Sequence, residues 1–364
     1  MNYFAPLAAK LKKRKDLDFD LIQEAYIFAH DAHEGQKRAS GEDYIIHPVA
    51  VAGLICDIGG DKESVMAALL HDVIEDTSIN RKTLKDTFGL DIGVLVEGVT
   101  KFDKDVKKNL KVSVKDQSLK KFFSSVTSDP RIIFIKFADR LHNMQTISFL
   151  KQNSQMNIAK ETQDFYVPLA SAVNAWSFKK ELENLSCKVL NPNEYYHFEH
   201  CLEDSKSSEN NITEELSSIL LRQDKIIKNC KSKFIIEDFL PYELKKYSQK
   251  FKLKNRHFYR IIFSVDEAMT CYLLLGLLHD FFPPMQGEIK DYIAKPKVNE
   301  YQAIHTQVIY QGKQLECIIQ LNQKTSSLKH EIEERQEKKF SSSIGHILQY
   351  KLLDLVKKTE NSSL

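Results

Sequence analysis

Apolar residues recur at helical spacing through the first half of the chain, and alternating strand-like spacing enters only in the second half. Leu21, Ala25, Phe28 and Ala32 form one stripe, with Asp18 or Asp20 placed to cap its start and Gly35 to end it. Val65, Leu69 and Asp72 mark another helix, opened by Asp61 or Ser64. Pro130 and Pro168 interrupt later helical stretches without any cluster of strand signals. Residues 17–190 therefore read as an all-α bundle.

After Asn191-Pro192-Asn193 the texture changes. A charged helical segment covers 194–231, with a weak break at 205–208. Residues 260–265 read as a strand and 266–279 as an amphipathic helix. Residues 303–310 and 314–321 read as two strands joined through Gln311-Gly312-Lys313. From 326 the charge-rich pattern is helical to the end. The expected fold is α+β in two domains: an all-α domain over 1–195, a mixed α/β domain over 196–340, and a helical tail over 341–364.

Composition narrows the class. A 42% hydrophobic and 28% charged chain of 364 residues is globular and long enough for two domains. A formal net charge of +2 gives no general attraction to nucleic acid or membrane. Six cysteines without a CxxC pair fit a reduced protein better than a disulfide framework. The N-terminus lacks the charge-then-apolar order of a signal peptide, and no apolar run is long enough to span a bilayer. The expectation is a cytoplasmic protein.

Candidate chemistry concentrates in His71-Asp72-Val73-Ile74-Glu75-Asp76-Thr77, at the end of an apolar run. On a helix, His71 would stack with Glu75 and Asp72 with Asp76, offering donors to a metal and carboxylates to a water. Acids at the edge of a core need such a reason or full solvation. Three further segments could complete a site. Residues 35–48 form a glycine-flanked loop ending in His47, which Pro48 would hold extended. Asp139 and Asn143 share a face if 138–144 is helical, and 161–166 presents another polar face. Two histidines and two aspartates make a nitrogen and oxygen donor set suited to Mn²⁺, Zn²⁺ or Fe²⁺.

The string His47, His71-Asp72 and Asp139 resembles the HD-domain phosphohydrolases. RASGEDYIIHP (38–48), LLHDVIEDT (69–77), EGVTK (97–101), DPRIIFIKFADRLHNMQTI (129–147), ETQDFYVPLA (161–170) and LNPNEYY (190–196) resemble the alarmone hydrolase domain of the RelA/SpoT family. That resemblance implies one Mn²⁺ held by His47, His71, Asp72 and Asp139, with Glu75 and Asp76 activating water. It implies that Arg38 lies against a guanine, with Ser40 in the same loop and Asn143 and Thr146 lining the nucleotide side. Tyr166 is a weaker candidate for a pocket wall. The implied reaction converts guanosine tetra- or pentaphosphate to GDP or GTP and pyrophosphate.

Residues 283–308 are similar to the family's alarmone synthetase domain, with Lys290, Asp291, Tyr292, Lys297, Asn299, Tyr301, Gln302 and His305 in matching places. Departures accumulate there. Asn255 stands where the pattern has a metal-binding aspartate, five residues before Arg260, and Glu300 replaces a glycine. Glu316 is kept, but Ile318 replaces a glutamine and Gln320 an arginine. Upstream, Tyr247-Ser248 keeps a fragment of a motif in which Tyr242 replaces a basic residue. Losing a carboxylate and several cations removes charge stabilisation that pyrophosphoryl transfer needs, so this half reads as a degenerate synthetase. With the chain stopping at Leu364, ribosome-dependent control is not expected. Three alternatives stay open: a bifunctional synthetase and hydrolase, a hydrolase of another phosphorylated nucleotide such as NADPH, and an inactive alarmone-binding regulator.

Overall fold

A computed structural model describes residues 3–109, 129–207, 212–222, 232–243, 259–296, 301–310 and 313–321. The expected helical tail lies outside the described residues, as do Asn255, Tyr247, Ser248, Lys297, Asn299, Glu300, Gln311 and Gly312. The chain divides into two compact units between Leu182 and Glu183.

The first unit is all helical among its described residues: α1 (Ala5–Leu11), α2 (Phe19–Ala32), α3 (Ile46–Asp57), α4 (Lys62–Leu70), α5 (Val73–Asp76), α6 (Arg81–Phe88), α7 (Leu90–Asn109), α8 (Arg131–Gln145), α9 (Gln152–Glu161), α10 (Val167–Ala172) and the start of α11 (Trp176–Leu190). A π-helical turn, Thr162–Tyr166, links α9 to α10. Side-chain caps set three of these starts. Asp18 accepts from the Leu21 amide, Asp61 from Ser64 and Asn80 from Thr83.

Helix α4 sits at the centre. Every residue from Ser64 to Leu70 is buried, so this helix is apolar all round rather than striped. It packs against α2, α3, α7 and α8. Val65, Met66, Leu69 and Leu70 each contribute about 1.5–3 kcal/mol by leaving water. The expected helix through Asp72 ends two residues early, because Leu70 is its last residue and His71-Asp72 form a turn before α5. The Asp72 backbone, at φ −94° and ψ −9°, bends the chain there. His47 is also not extended. It occupies the first turn of α3, where a following proline costs no hydrogen bond because first-turn amides have no helical acceptor.

The second unit contains the rest of α11, α12 (Pro192–Ser207), α13 (Ile212–Arg222), α14 (Ala268–Phe281) and a five-stranded mixed sheet. Its strands are β1 (Lys233–Asp238), β2 (Tyr259–Val265), β3 (Lys290–Asp291), β4 (Ala303–Tyr310) and β5 (Lys313–Leu321), in the order β1-β2-β5-β4-β3. Only β2 and β5 run parallel. Alternate residues of β2 are buried, and Ile261, Phe263 and Val265 meet Leu274 and Leu278 of α14 and Leu216 and Leu220 of α13.

Candidate metal centre

Four donors converge in the first unit. Nε2 of His47 lies 3.2 Å from Asp139 Oδ1 and 3.6 Å from Asp72 Oδ2, while Nε2 of His71 lies 3.2 Å from Asp72 Oδ2. One ligand atom from each of His47, His71 and Asp139 falls within 4.8 Å of the others. Each comes from a different place: the first turn of α3, the break after α4, and the middle of α8. Both imidazoles are turned by their other nitrogen. His71 Nδ1 lies 2.8 Å from the Ala68 carbonyl and His47 Nδ1 lies 2.8 Å from His142 Nδ1.

The residues fit a divalent cation. His71 Nε2 is buried with no hydrogen-bond partner. With Nδ1 donating to the Ala68 carbonyl, the neutral ring turns its Nε2 lone pair toward Asp72 and Asp139, where a metal would use it. Burial works against charge on His71, yet Asp72 and Asp139 outweigh it and raise its pKa to about 9. Burial alone would raise Asp72 and Asp139, but His71 beside the first and Lys136 beside the second hold both below the usual carboxylate range. For His47 burial prevails and lowers the pKa. Both carboxylates therefore stay ionised at neutral pH, and a divalent cation can take the place of the proton that His71 holds between them.

Beside the donors lies a second network. Asn143 Nδ2 donates to Asp139 Oδ1 at 2.7 Å, and Arg38 Nη2 donates to Asn143 Oδ1 at 3.0 Å, with Thr146 Oγ1 at 3.4 Å. Asp139 and Asn143 do share a face of α8, as their spacing predicts. The Arg38 loop folds on itself through Gly41 at φ +86°, with the Arg38 amide bonded to the Glu42 carbonyl. Ser40 bonds within that turn to Glu42. Glu75 and Asp76 are both exposed on α5, and Asp76 Oδ2 lies 2.9 Å from the Tyr44 hydroxyl. Tyr166 is buried under the Arg140 guanidinium, 4.1 Å above its ring, in a packed rather than open setting.

In the second unit, Arg260 on β2 pairs with Glu316 on β5 at 2.6 Å and with Glu243 at 2.9 Å. Tyr301 OH lies 2.9 Å from His305 Nε2, and His305 Nδ1 lies 3.8 Å from Glu316 Oε1. Lys290 stands opposite His305 across the β3–β4 pair. Tyr242 is buried, and Gln320 donates to Ser264.

Comparison with known proteins assigns both halves. A model described as "HD domain" matches residues 25–176, and one described as "Region found in RelA / SpoT proteins" matches residues 238–352. The chain belongs to the RelA/SpoT family. It is 38% identical over 289 residues to the guanosine-3′,5′-bis(diphosphate) 3′-pyrophosphohydrolase of Haemophilus influenzae, covering 78% of this chain and 42% of that one. It is 38% identical to the bifunctional (p)ppGpp synthase/hydrolase SpoT of Escherichia coli, covering 79% of this chain and 41% of that one. A GTP pyrophosphokinase rsh of Brucella melitensis is 35% identical over 83% of this chain and 40% of its own length. The chain thus spans about two-fifths of each of these relatives' length. No helix among the described residues is long and apolar enough to cross a membrane.

Within this family frame, sequence reading passed over three site neighbours. Tyr44 places its hydroxyl 2.6 Å from Asp72 and stacks on His33 at 4.6 Å. Burial first, then Asp72 and Asp76, push its pKa far up, so it stays a donor. Lys136 donates to Asp139, and His142 bonds His47. The signal was spacing: Tyr44 precedes His47 by three residues, and Lys136 and His142 flank Asp139 by three.

Proposed function

We propose that the N-terminal domain, residues 1–195, removes the 3′-pyrophosphate of guanosine tetra- or pentaphosphate, using one Mn²⁺ held by His47, His71, Asp72 and Asp139. The observation that carries this reading is Asn143, which bonds Asp139 on one side and Arg38 on the other. It joins the donor cluster to a cationic loop suited to a purine face. The 38% identity to relatives bearing that activity in their names supports it. Scattered free cysteines support a reducing, cytoplasmic setting.

When bound, the cation supplies Lewis acidity that lowers the pKa of water and offsets phosphate charge. Glu75 positions the attacking water and Asp76, held by Tyr44, accepts its proton. The water oxygen bonds to the phosphorus attached at the 3′ position, that phosphorus releases the 3′ oxygen, and the carboxylate returns the proton to it. Arg38 lies against the guanine, and Asn143 and Thr146 fix the Arg38 guanidinium. Ser40 lines the substrate loop.

The second domain, 196–340, is a synthetase remnant in this reading. Asn255 removes a metal carboxylate, and Glu316 is already engaged by Arg260. The second reading, a bifunctional enzyme, draws on the retained Tyr301, His305 and Glu316 grouping. It predicts AMP from ATP plus GDP or GTP under Mg²⁺, whereas a remnant yields none. The hydrolase itself is tested by guanosine tetraphosphate with Mn²⁺ beside Asp72→Ala, with NADPH as the competing substrate. Turnover of NADPH in preference to the alarmone would move the substrate assignment.

A further inference from the structure

The two histidines of the donor cluster obtain their orientation in different ways, and the difference follows from where each sits on its helix. A helix end leaves carbonyls free at its C-terminus and amides free at its N-terminus. His71 follows the last turn of α4, so its Nδ1 finds the Ala68 carbonyl three residues back, at 2.8 Å. His47 lies in the first turn of α3, where free groups are donors, and the nearby Tyr44 carbonyl already accepts the His47 amide at 2.9 Å. An acceptor for His47 Nδ1 must therefore come from another element. Helix α8 supplies it: His142 Nδ1 stands 2.8 Å away, with the rings tilted at 39°.

Two ring nitrogens at that distance share one proton. For His47 Nε2 to turn a lone pair toward Asp72 and Asp139, the proton belongs on His47 Nδ1. His142 then accepts through Nδ1 and carries its own proton on Nε2. We propose that His142 is a positioning residue for His47, fixing the tautomer and ring angle with which His47 binds the metal. The inference rests on the metal-dependent reading above, and it adds a requirement on α8 beyond Asp139. His142 also lines a cavity of about 440 Å³ with Leu7, Ile46, Val49 and Gln145, so replacing it opens existing space rather than breaking a filled core.

The test is Mn²⁺ affinity, read on the full chain after chelation by the paramagnetic signal of free Mn²⁺, with apo thermal unfolding alongside. His142→Leu removes the acceptor. His142→Asn restores it, because the Asn Oδ1 occupies the place of Nδ1. Loss of such a partner costs roughly 10–100-fold in metal affinity. The expected result is a loss of that size for His142→Leu, near-native affinity for His142→Asn, and similar apo unfolding for both. Native affinity in His142→Leu, or equal losses in both variants, would overturn the proposal. Absence of Mn²⁺ binding by the native chain would overturn it together with the metal-dependent reading. Native Mn²⁺ binding without alarmone turnover would overturn the hydrolase reading alone.

Discussion

The Tyr44 hydroxyl lies 2.9 Å from Oδ2 of Asp76, and that hydroxyl is also 2.6 Å from Oδ2 of Asp72. One phenol thus ties the acid assigned to the water to the acid assigned to the metal. A hydrogen bond to a charged group contributes about 1.5–3 kcal/mol. Tyr44→Phe should lower kcat by about 10–100-fold, the rate equivalent of that energy, with KM nearly unchanged. Steady-state kinetics separates the two, and a KM effect alone would remove Tyr44 from this role.

Arg38 reaches Asn143 and Thr146 from a loop more than a hundred positions earlier in the chain. Its planar guanidinium suits stacking and forked hydrogen bonding, which a lysine cannot reproduce. Arg38→Lys and Arg38→Ala should both raise KM about tenfold or more, leaving Mn²⁺ affinity as in the native chain. Rescue by lysine would show that only charge matters.

Without a cation, His71 holds its proton up to about pH 9, through Asp72 and Asp139 against the opposing effect of burial. The folded pKa lies above the unfolded value of about 6.5, so this group's contribution to apo stability is complete below pH 6.5. It is lost as pH rises through 9. Apo melting temperature should therefore fall across that window. Mn²⁺ must displace the proton, so its binding at pH 7.5 should release about one proton and tighten toward pH 9. Calorimetry in buffers of different ionisation enthalpy measures that release, and none would place the proton elsewhere.

Gly98 lies where α7 crosses α8. A methyl there would sit 2.3 Å from Ile132 Cδ1 and 2.9 Å from its Cγ1. Overpacking of this kind costs about 1–3 kcal/mol. Gly98→Ala should lose that much stability in urea unfolding, and because α8 carries Asp139 and Asn143, activity should fall as well. A neutral effect on both would mean that Ile132 yields freely.

Much of this architecture is legible in local pattern. The Leu21 to Ala32 stripe with its Asp18 cap forms α2, and alternation in β2, β4 and β5 marks half-buried strands. Strand β1 carries a weak signal because it is a short strand within charged sequence, paired among the described residues to β2 alone. The break at His71-Asp72 escaped because α4 is buried on all sides and offers no phase to read. His47 was misjudged as extended because the local bias before proline is weaker than the packing of α3 on α4 and α8. Motif resemblance located His47, His71, Asp72 and Asp139, which the fold brings together. Tyr44 and His142 carry only their three-residue spacing from His47 and Asp139 as a signal, and spacing does not tell what another helix sets against a side chain.

The central claim is that the donor cluster performs hydrolysis at the 3′ position, and product identity tests it most directly. The native chain with Mn²⁺ and guanosine tetraphosphate, followed by phosphorus NMR, should release GDP and intact pyrophosphate, with Asp72→Ala inactive. Orthophosphate as the product, or equal rates from both proteins, would contradict the account.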